Sequence, residues 1–407
     1  MERIITKKLK NGLTLYVIPK RGYVQAEAMF TVRYGSTFTN FEVNGQKITT
    51  PPGIAHFLEH KLFEDKNGNL FDKFSNLGAN ANAFTNFHTT AYYFTTTENF
   101  YENLRLLCYM ISSTFLTDEN IKKEKNIIEQ EINMYKDDSN WQCYFNILTG
   151  MYKTNPVRNN IAGTIDSLYS INKQQLELCY NSFYTGDNMA LIVTGDVDIN
   201  KIEKIALQTD ISYGKIVRVE IRDNHDTVNE AYIEQKMNVE KPVFSIGFKE
   251  MDYSSPLNIK AATSIIIMDI LSGLSSDLYT KMYNENLIED DFYFEHLNGF
   301  GYGADIFSGT SDEPYKVAEN IIKQINFYKE NGIKPQVIDR IIRKNKGKIF
   351  QAYNSLGYIC NTIADNFAKK QAPLENLDMF DKISYSDIER RLINHFKEEN
   401  MVISVIN

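Results

Sequence analysis

The stretch His56-Phe57-Leu58-Glu59-His60 decides how the rest of this 407-residue chain is interpreted. His56 and His60 are four residues apart, so a helix would place both imidazoles on one face, one turn apart, where they could bind a single cation. Glu59 follows His56 by three residues and lies on the same side, close enough to act on a water held by that cation. The order His-x-x-Glu-His is the inverse of the commoner zinc motif His-Glu-x-x-His.

The residues around the motif predict a buried helix. Residues 49–53 combine two threonines, two prolines and a glycine, a composition that should end a loop and start a helix near Ile54. Buried imidazole and carboxylate groups need partners, and a metal ion supplies them. The alternative, a surface helix with two exposed histidines, fits this context less well because the other faces of the helix are apolar. The apolar residues are Ile54, Ala55, Phe57, Leu58, Leu62 and Phe63.

A third ligand is required, because catalytic zinc usually takes three protein ligands and leaves a fourth position to water. Residues 117–135 predict a helix: Thr117 can cap it, and acidic residues follow at the positive end of its dipole. Glu124 and Glu131 are seven residues apart and therefore share a face. A helix rich in Lys and Glu is at least as typical of a solvated surface, so this pattern alone does not select a ligand.

Taken together, these segments resemble the pitrilysin, insulinase and mitochondrial processing peptidase superfamily of inverted-zincin metallopeptidases, in its bacterial short-chain, two-domain type. Members of that family carry a glutamate ligand well downstream of the motif and another glutamate seven residues before it. The resemblance implies that His56, His60 and Glu131 bind one Zn²⁺ per chain. It also implies that Glu59 is the catalytic general base and that Glu124 orients a ligand, a role that affects affinity.

A strand between the two metal segments extends the resemblance. Residues 78–85 match the family pattern Gly-Ala-x-x-Asn-Ala-x-Thr, and residues 188–197 match the strand that closes the first domain of the family. Residues 79–95 are rich in Thr, Tyr and Phe and predict a strand or hairpin. Without the metal motif, a plain core strand would be the better interpretation. The resemblance implies instead an edge strand to which peptides add through main-chain hydrogen bonds. The implied substrate-binding residues are Asn82, Ala83, Phe84 and Thr85.

The chain divides into two halves in which strands and helices follow one another in the same order. This pattern predicts an α+β fold of two related α/β sandwich domains, each a mainly antiparallel sheet with helices packed on one face. We predict a metal-binding catalytic domain over 1–212 and a homologous domain without a metal site over 213–407. The linker is expected within 206–230, which is polar and lacks clear helical periodicity.

Composition limits the possible partners and location. The net charge is −8 with both signs interspersed, so there is no basic footprint for nucleic acid. The four cysteines are far apart without a Cys-x-x-Cys pair, which indicates reduced, buried thiols in a cytoplasmic protein. The N-terminus does not look like a signal peptide. The longest apolar stretch, residues 262–274, is interrupted by Asp269 and is too short to span a membrane.

The second half offers few candidate functional residues. Residues 299–303 are rich in glycine, but the Lys-Ser/Thr of a phosphate loop does not follow, so they predict a flexible turn or a bulged strand. His296 is interpreted as structural or exposed. Many relatives place an Arg and, seven residues later, a Tyr in this half to hold the peptide or the transition state. The matching positions here are Tyr283 and Asp290, so that pair is missing.

These patterns lead to a functional prediction with alternatives. The chain is predicted to be a zinc-dependent endopeptidase that cleaves small or extended peptides, and both peptide maturation with leader removal and general peptide turnover are compatible with it. The missing Arg/Tyr pair suggests that a homologous sister subunit supplies it in a heterodimer, and a homodimer is the alternative. The second functional hypothesis is a catalytically weak or inactive peptide-binding or structural subunit of the same family.

Overall fold

The computed structural model describes residues 4–66, 68–214, 217–219 and 227–407, whose strands form two principal sheets and two smaller ones. The strands, in chain order, are β1 (Ile5–Lys8), β2 (Thr14–Pro19), β3 (Ala26–Val32), β4 (Asn40–Val43), β5 (Gln46–Thr49), β6 (Glu64–Asp65), β7 (Gly68–Asn69), β8 (Ala79–Thr85), β9 (Thr90–Thr96), β10 (Met189–Gly195), β11 (Val217–Val219), β12 (Tyr232–Gln235), β13 (Val243–Lys249), β14 (Tyr293–Gly299), β15 (Tyr302–Thr310) and β16 (Met401–Ile406).

The two principal sheets share one topology. Their strand orders are β1-β2-β10-β3-β9-β8 and β12-β16-β13-β15-β14. In each sheet one pair is parallel, β2 with β10 and β12 with β16, and the other described pairs are antiparallel. Aligned from the parallel pair, the two orders agree strand for strand, apart from the additional β1. The prediction of an α+β chain with two related, mainly antiparallel sandwich domains is therefore confirmed.

Helices follow the strands in the same order in both halves. They are α1 (Ile54–Lys61), α2 (Leu70–Asn76), α3 (Phe100–Ser112), α4 (Asp118–Asp137), α5 (Ser139–Met151), α6 (Ile165–Ser170), α7 (Lys173–Phe183), α8 (Ile199–Leu207), α9 (Leu257–Ser272), α10 (Asp277–Asn284), α11 (Pro314–Asn331), α12 (Pro335–Ala352), α13 (Leu356–Ala368), α14 (Glu375–Asp378) and α15 (Tyr385–Asn394). By position relative to the matching strands, α9 is the counterpart of α1 and α12 is the counterpart of α4.

The chain forms two compact units, each containing one principal sheet, and neither unit is a continuous segment. The first consists of the described residues within 1–132, 160–220 and 352–374. The second consists of the described residues within 133–159, 221–351 and 375–407. The predicted division into 1–212 and 213–407 differs from these units in three places: the segment 133–159, which contains α5, the described residues within 213–220, and the segment 352–374, which contains α13.

The exchanged helices pack closely on their sheets. Helix α5 lies against β13 and β16 in the second unit, and α13 lies against β3 and β10 in the first. A Cβ added at Gly150 of α5 would lie 2.6 Å from a Val402 methyl, and one added at Gly247 of β13 would lie 2.4 Å from the Met151 methyl. The apolar periodicity of a helix shows that one face is buried but not which sheet covers it. The exchange therefore cannot be read from the sequence.

Part of the predicted linker, 206–230, lies outside the described residues, at 215–216 and 220–226. The remaining part is not uniformly irregular. Strand β11 lies within it and pairs in antiparallel register with β4, which belongs to the first unit.

The second unit contains a buried ionic cluster around Asp305, which is fully buried on β15. Asp305 carboxylate oxygens lie 2.5 Å from His296 Nδ1, 2.9 Å from His395 Nε2 and 3.1 Å from Arg391 Nη2. His296 lies on the neighbouring strand β14, whereas Arg391 lies on α15 and His395 directly follows that helix, so the cluster ties α15 to the sheet. His296 thus has the structural role that was one of its two predicted interpretations, and His395 is a partner that the sequence did not single out.

Within residues 299–303, the turn of the β14–β15 hairpin is formed by Phe300 and Gly301, and Gly301 occupies the left-handed region with φ 79°, while the other three residues belong to the two strands. The four cysteines are buried and unpaired. Within the described ranges, no single helix is both long and apolar enough to cross a membrane, and α9 with α10, a bent pair, meets the length and composition limits only when the two are counted together.

Candidate metal centre

Helix α1 begins at Ile54, and residues 50–53, which are neither strand nor helix, separate it from β5. Gly53 precedes the helix with φ 91°, a conformation that favours glycine. A Cβ at this position would lie 2.4 Å from the carbonyl oxygen of Ala162, so the backbone of the two segments is in close contact. On the helix itself, Phe57 and Leu58 are fully buried. The backbone that carries the motif is therefore held by packing on its apolar faces and by a close contact at its start.

The three side chains predicted as metal ligands lie together. His56 Nε2 is 3.5 Å from Glu131 Oε1, and His60 Nε2 is 3.5 Å from Glu131 Oε2. One potential ligand atom from each of the three residues lies within 4.8 Å of the others. Zinc–ligand distances of about 2.0–2.2 Å can bridge donors at such separations. No second group of this kind was found in the part of the chain that the structure describes.

Glu124 is hydrogen-bonded to one of these imidazoles. Its Oε1 lies 2.9 Å from His60 Nδ1, an arrangement in which Nδ1–H donates to the carboxylate and Nε2 is left facing Glu131. Burial opposes protonation of His60, but its hydrogen bonds with Glu124 and Glu131 and the charge of Glu59 outweigh burial and raise the pKa of His60 to about 10. The carboxylates around this imidazole thus create a strong local preference for positive charge.

These residues fit a zinc ion. Two imidazole nitrogens and one carboxylate oxygen are a donor set that catalytic zinc sites use. His56 Nδ1 is buried without a hydrogen-bond partner among the described residues, so the ring is held by packing and presents Nε2 to Glu131. Three carboxylates beside two imidazoles leave an excess of negative charge, which a divalent cation would balance.

Glu59 lies beside the three candidate ligands without belonging to the group that could hold the metal. It is 9% exposed, and its Oε2 accepts a hydrogen bond of 2.6 Å from the Thr85 hydroxyl. Because Thr85 is the last residue of β8, this contact places the candidate base at the end of that strand.

Strand β8 is an edge strand, as the resemblance implied. It pairs with β9 on one side, and no described strand pairs with its other side. Asn82 is exposed and its Oδ1 accepts a hydrogen bond from its neighbour's main-chain nitrogen, 2.8 Å away, while Ala83 and Phe84 are half-buried opposite Tyr92 and Ala91. An open strand edge presents main-chain donors and acceptors to an extended peptide.

A buried lysine next to the motif was missed by the sequence reasoning. Lys61 is 1% exposed; its ammonium pairs with Glu64 and lies 3.6 Å from Glu124 Oε2. It therefore places a positive charge behind the carboxylate that orients His60. The available signal was a lysine directly before two apolar residues, followed three positions later by a glutamate.

The turn between β8 and β9 is held by hydrogen bonds that the sequence did not predict. Asn86 Oδ1 accepts hydrogen bonds from the main-chain nitrogens of His88 (2.9 Å) and Thr89 (2.8 Å). His88 Nε2 in turn lies 2.8 Å from Asp365 Oδ1 on α13, within the same compact unit. The exchanged helix thus fixes the turn that follows the candidate substrate strand.

The two positions at which the family places its Arg/Tyr pair lie in the second unit. Tyr283 is on α10 with 45% of its surface exposed, and Asp290 is exposed in the segment that follows. Neither residue offers the cationic side chain that an arginine would.

Comparison with known proteins places this architecture in a family. The model for insulinase (peptidase family M16) matches residues 30–165, and that for the peptidase M16 inactive domain matches residues 170–345. A Bacillus subtilis protein described as the uncharacterized zinc protease YmfH is 34% identical, over 99% of this chain and 96% of its own.

Solved structures agree with the sequence comparison. An M16-like peptidase from Alicyclobacillus acidocaldarius superposes with a TM-score of 0.95 at 30% identity, covering 99% of this chain and 98% of the other. A peptidase M16 inactive domain from Pseudomonas fluorescens gives a TM-score of 0.83 at 14% identity, covering 99% and 97%, which shows the shared fold alone. The chain therefore belongs to the insulinase family, peptidase family M16, in its two-domain bacterial form.

Proposed function

We propose that this chain is a zinc-dependent endopeptidase, with one Zn²⁺ per chain, that cleaves small or extended peptides added as a strand to the open edge of β8. The observation that carries the proposal is the convergence of His56, His60 and Glu131 beside Glu59 at the end of that edge. Edge addition is selective for extended backbone and tolerant of side chains. Peptide maturation or leader removal is a use that such a site would serve.

In the proposed reaction, His56, His60 and Glu131 would hold zinc, which supplies Lewis acidity toward the scissile carbonyl and lowers the pKa of water to about 7. Glu59 takes a proton from the attacking water and delivers it to the leaving amine. Glu124 keeps the His60 Nδ1 proton in place. The main chain of Asn82, and of the rest of β8, holds the peptide extended.

The decisive test replaces the two central carboxylates separately in the full chain. Glu59→Gln is expected to keep zinc and to lower peptide hydrolysis by about 100-fold or more, because an amide cannot take up the proton. Glu131→Gln is expected to lose zinc, measured by metal analysis. Glu129→Gln on the same helix is the matched control, since Glu129 hydrogen-bonds Tyr169 and lies outside the cluster. Normal hydrolysis by Glu59→Gln, or hydrolysis that a chelator does not abolish, would refute the proposal.

A second candidate is a catalytically weak or inactive peptide-binding subunit, which the absence of the Arg/Tyr pair at Tyr283 and Asp290 favours. We propose that a homologous sister subunit supplies that pair in a heterodimer, with a homodimer as the alternative. Light scattering of the purified chain, with and without the product of a neighbouring homologous gene, distinguishes these assemblies. Full peptidase activity of this chain alone would reject the partner.

A cytoplasmic location completes the proposal, supported by four buried, unpaired thiols.

A further inference from the structure

We propose that the Thr85 hydroxyl positions the Glu59 carboxylate for proton transfer, an inference that rests on the proposed peptidase function. The hydroxyl oxygen lies 2.6 Å from Glu59 Oε2, within the range of hydrogen bonds from a hydroxyl to a charged carboxylate. Among the described residues, the Glu59 carboxylate has a hydrogen bond through Oε2 and none through Oε1. The carboxylate is therefore anchored through one oxygen and presents the other.

Counting protons assigns the direction of this hydrogen bond. Thr85 Oγ1 also lies 3.3 Å from Thr90 Oγ1, and Thr90 donates its only hydroxyl proton to the Tyr34 carbonyl oxygen at 2.8 Å. Thr90 therefore has no proton to give to Thr85. A threonine hydroxyl has a single proton, and the closer, charged acceptor is Glu59. The Thr85 proton consequently points at Glu59 Oε2.

The strand and turn that carry Thr85 are held by several hydrogen bonds. Thr85 is paired with Thr90 in the β8–β9 ladder, and the intervening turn is closed by a main-chain hydrogen bond of 2.9 Å from Asn86 nitrogen to the Thr89 carbonyl oxygen. The contact of His88 with Asp365 on α13 ties that turn to the rest of the compact unit. A donor mounted on a fixed strand can hold a glutamate in one orientation, whereas the glutamate alone has three rotatable bonds.

In this arrangement the two carboxylate oxygens of Glu59 have different roles, and so do the main chain and the side chain of Thr85. Oε2 receives the anchoring hydrogen bond, and Oε1 accepts the proton of the attacking water and returns it to the leaving amine. The main chain of Thr85 serves the peptide-binding edge, while its hydroxyl serves the base. Thr85 is thus a positioning residue, because its side chain acts through Glu59.

The test compares Thr85→Val with Thr85→Ser in the zinc-loaded full chain. Valine has nearly the same shape but no hydroxyl, and is expected to lower kcat by about tenfold or more while KM changes by less than about threefold. Serine restores the donor and is expected to return kcat to within about twofold. Thr95→Val, on the neighbouring strand β9, is the control for losing a half-buried threonine hydroxyl. Thr85→Ala repeats the measurement if valine lowers the unfolding midpoint.

A crystallographic readout accompanies the kinetics. The Glu59 carboxylate is expected to keep one orientation in the wild type and in Thr85→Ser, and to rotate or lose its defined position in Thr85→Val. An unchanged kcat in Thr85→Val, a serine variant as slow as the valine variant, or an unmoved carboxylate would each overturn the inference. Failure of the proposed function would give a different result. Either the wild type would not cleave peptides, or Glu59→Gln would still cleave them, and both outcomes are independent of the orientation of the Glu59 side chain.

Discussion

A carboxyl group far from the metal ligands in sequence gives the sharpest prediction about stability. Glu27 on β3 is 3% exposed, and its Oε1 has no hydrogen-bond partner among the described residues. Helix α13 covers it so closely that a Cβ at Gly357 would lie 3.5 Å from Glu27 Oε2. Burial, only partly offset by a hydrogen bond with Cys360, raises the pKa of Glu27 from 4.5 to about 7.

The magnitude follows from linkage between protonation and folding. The folded state holds the Glu27 proton more tightly than the unfolded state, so stability is highest below the unfolded pKa, where both states are protonated. As pH rises from about 4.5 to about 7, the unfolded state loses the proton first and the free energy of unfolding falls. A pKa difference of about 2.5, at about 1.4 kcal/mol per pKa unit, amounts to about 3 kcal/mol. Above about pH 7 this contribution stays lost.

The assay is urea unfolding of the wild type and of Glu27→Gln between about pH 5 and pH 9. Glutamine cannot ionise, so we expect the variant to gain about 3 kcal/mol relative to the wild type across this range, with most of the change between pH 5 and 7. Glu102→Gln, whose carboxylate is 55% exposed on α3, is the control and should follow the wild type. Parallel wild-type and Glu27→Gln curves over the whole range would refute the reasoning.

Two further predictions concern the support of the metal helix. Lys61→Met leaves the carboxylates of Glu64 and Glu124 without their buried cation and should lower the free energy of unfolding by about 3–5 kcal/mol, measured by urea unfolding. Gly53→Ala combines a positive φ with a Cβ 2.4 Å from a carbonyl oxygen and should cost more than the roughly 1 kcal/mol expected of Gly45→Ala, which has φ 81° and open space.

Each of these two predictions has a control substitution and a result that would contradict it. Lys173→Met removes a half-exposed partner of Glu177, so its effect should stay below about 1 kcal/mol. If Lys61→Met is no more destabilising than this control, the buried ammonium does not stabilise the carboxylates around it. Equal unfolding midpoints for the two glycine variants would show that the chain at the start of α1 relaxes away from the contact.

Local signals explain why the metal segments could be predicted. The breaker residues before Ile54 start α1 at that residue, and the Thr117 hydroxyl accepts from the Asn120 main-chain nitrogen at the start of α4, as its capping role required. Helix periodicity then brings side chains at fixed spacings to one face, without reference to the rest of the fold. The approach of α4 to α1 is a tertiary contact, and here it was the family resemblance that selected Glu131 among the glutamates of its helix.

Contacts between distant segments explain what could not be predicted. The Thr85–Glu59 hydrogen bond depends on the position of β8 relative to α1 in the folded chain. The His88–Asp365 contact joins residues that are 277 positions apart in the sequence. Lys61 is a further example, because a lysine in a helix is normally solvated, whereas here the folded chain buries its ammonium beside Glu64 and Glu124. Sequence periodicity specifies which faces are apolar, but not which segment covers each face.

In the second unit, the position that corresponds to the candidate metal site has a different arrangement of charges. There α9 and α12 replace α1 and α4, and the link between them is Asp269, which is 1% exposed. Its two oxygens lie 2.5 Å from Lys344 Nζ and 2.8 Å from Asn345 Nδ2. An ammonium and an amide satisfy that carboxylate completely, so no positive charge is missing. In the first unit the carboxylates of Glu124 and Glu131 meet imidazoles, which are neutral when they act as ligands, so negative charge remains that a bound divalent ion would balance.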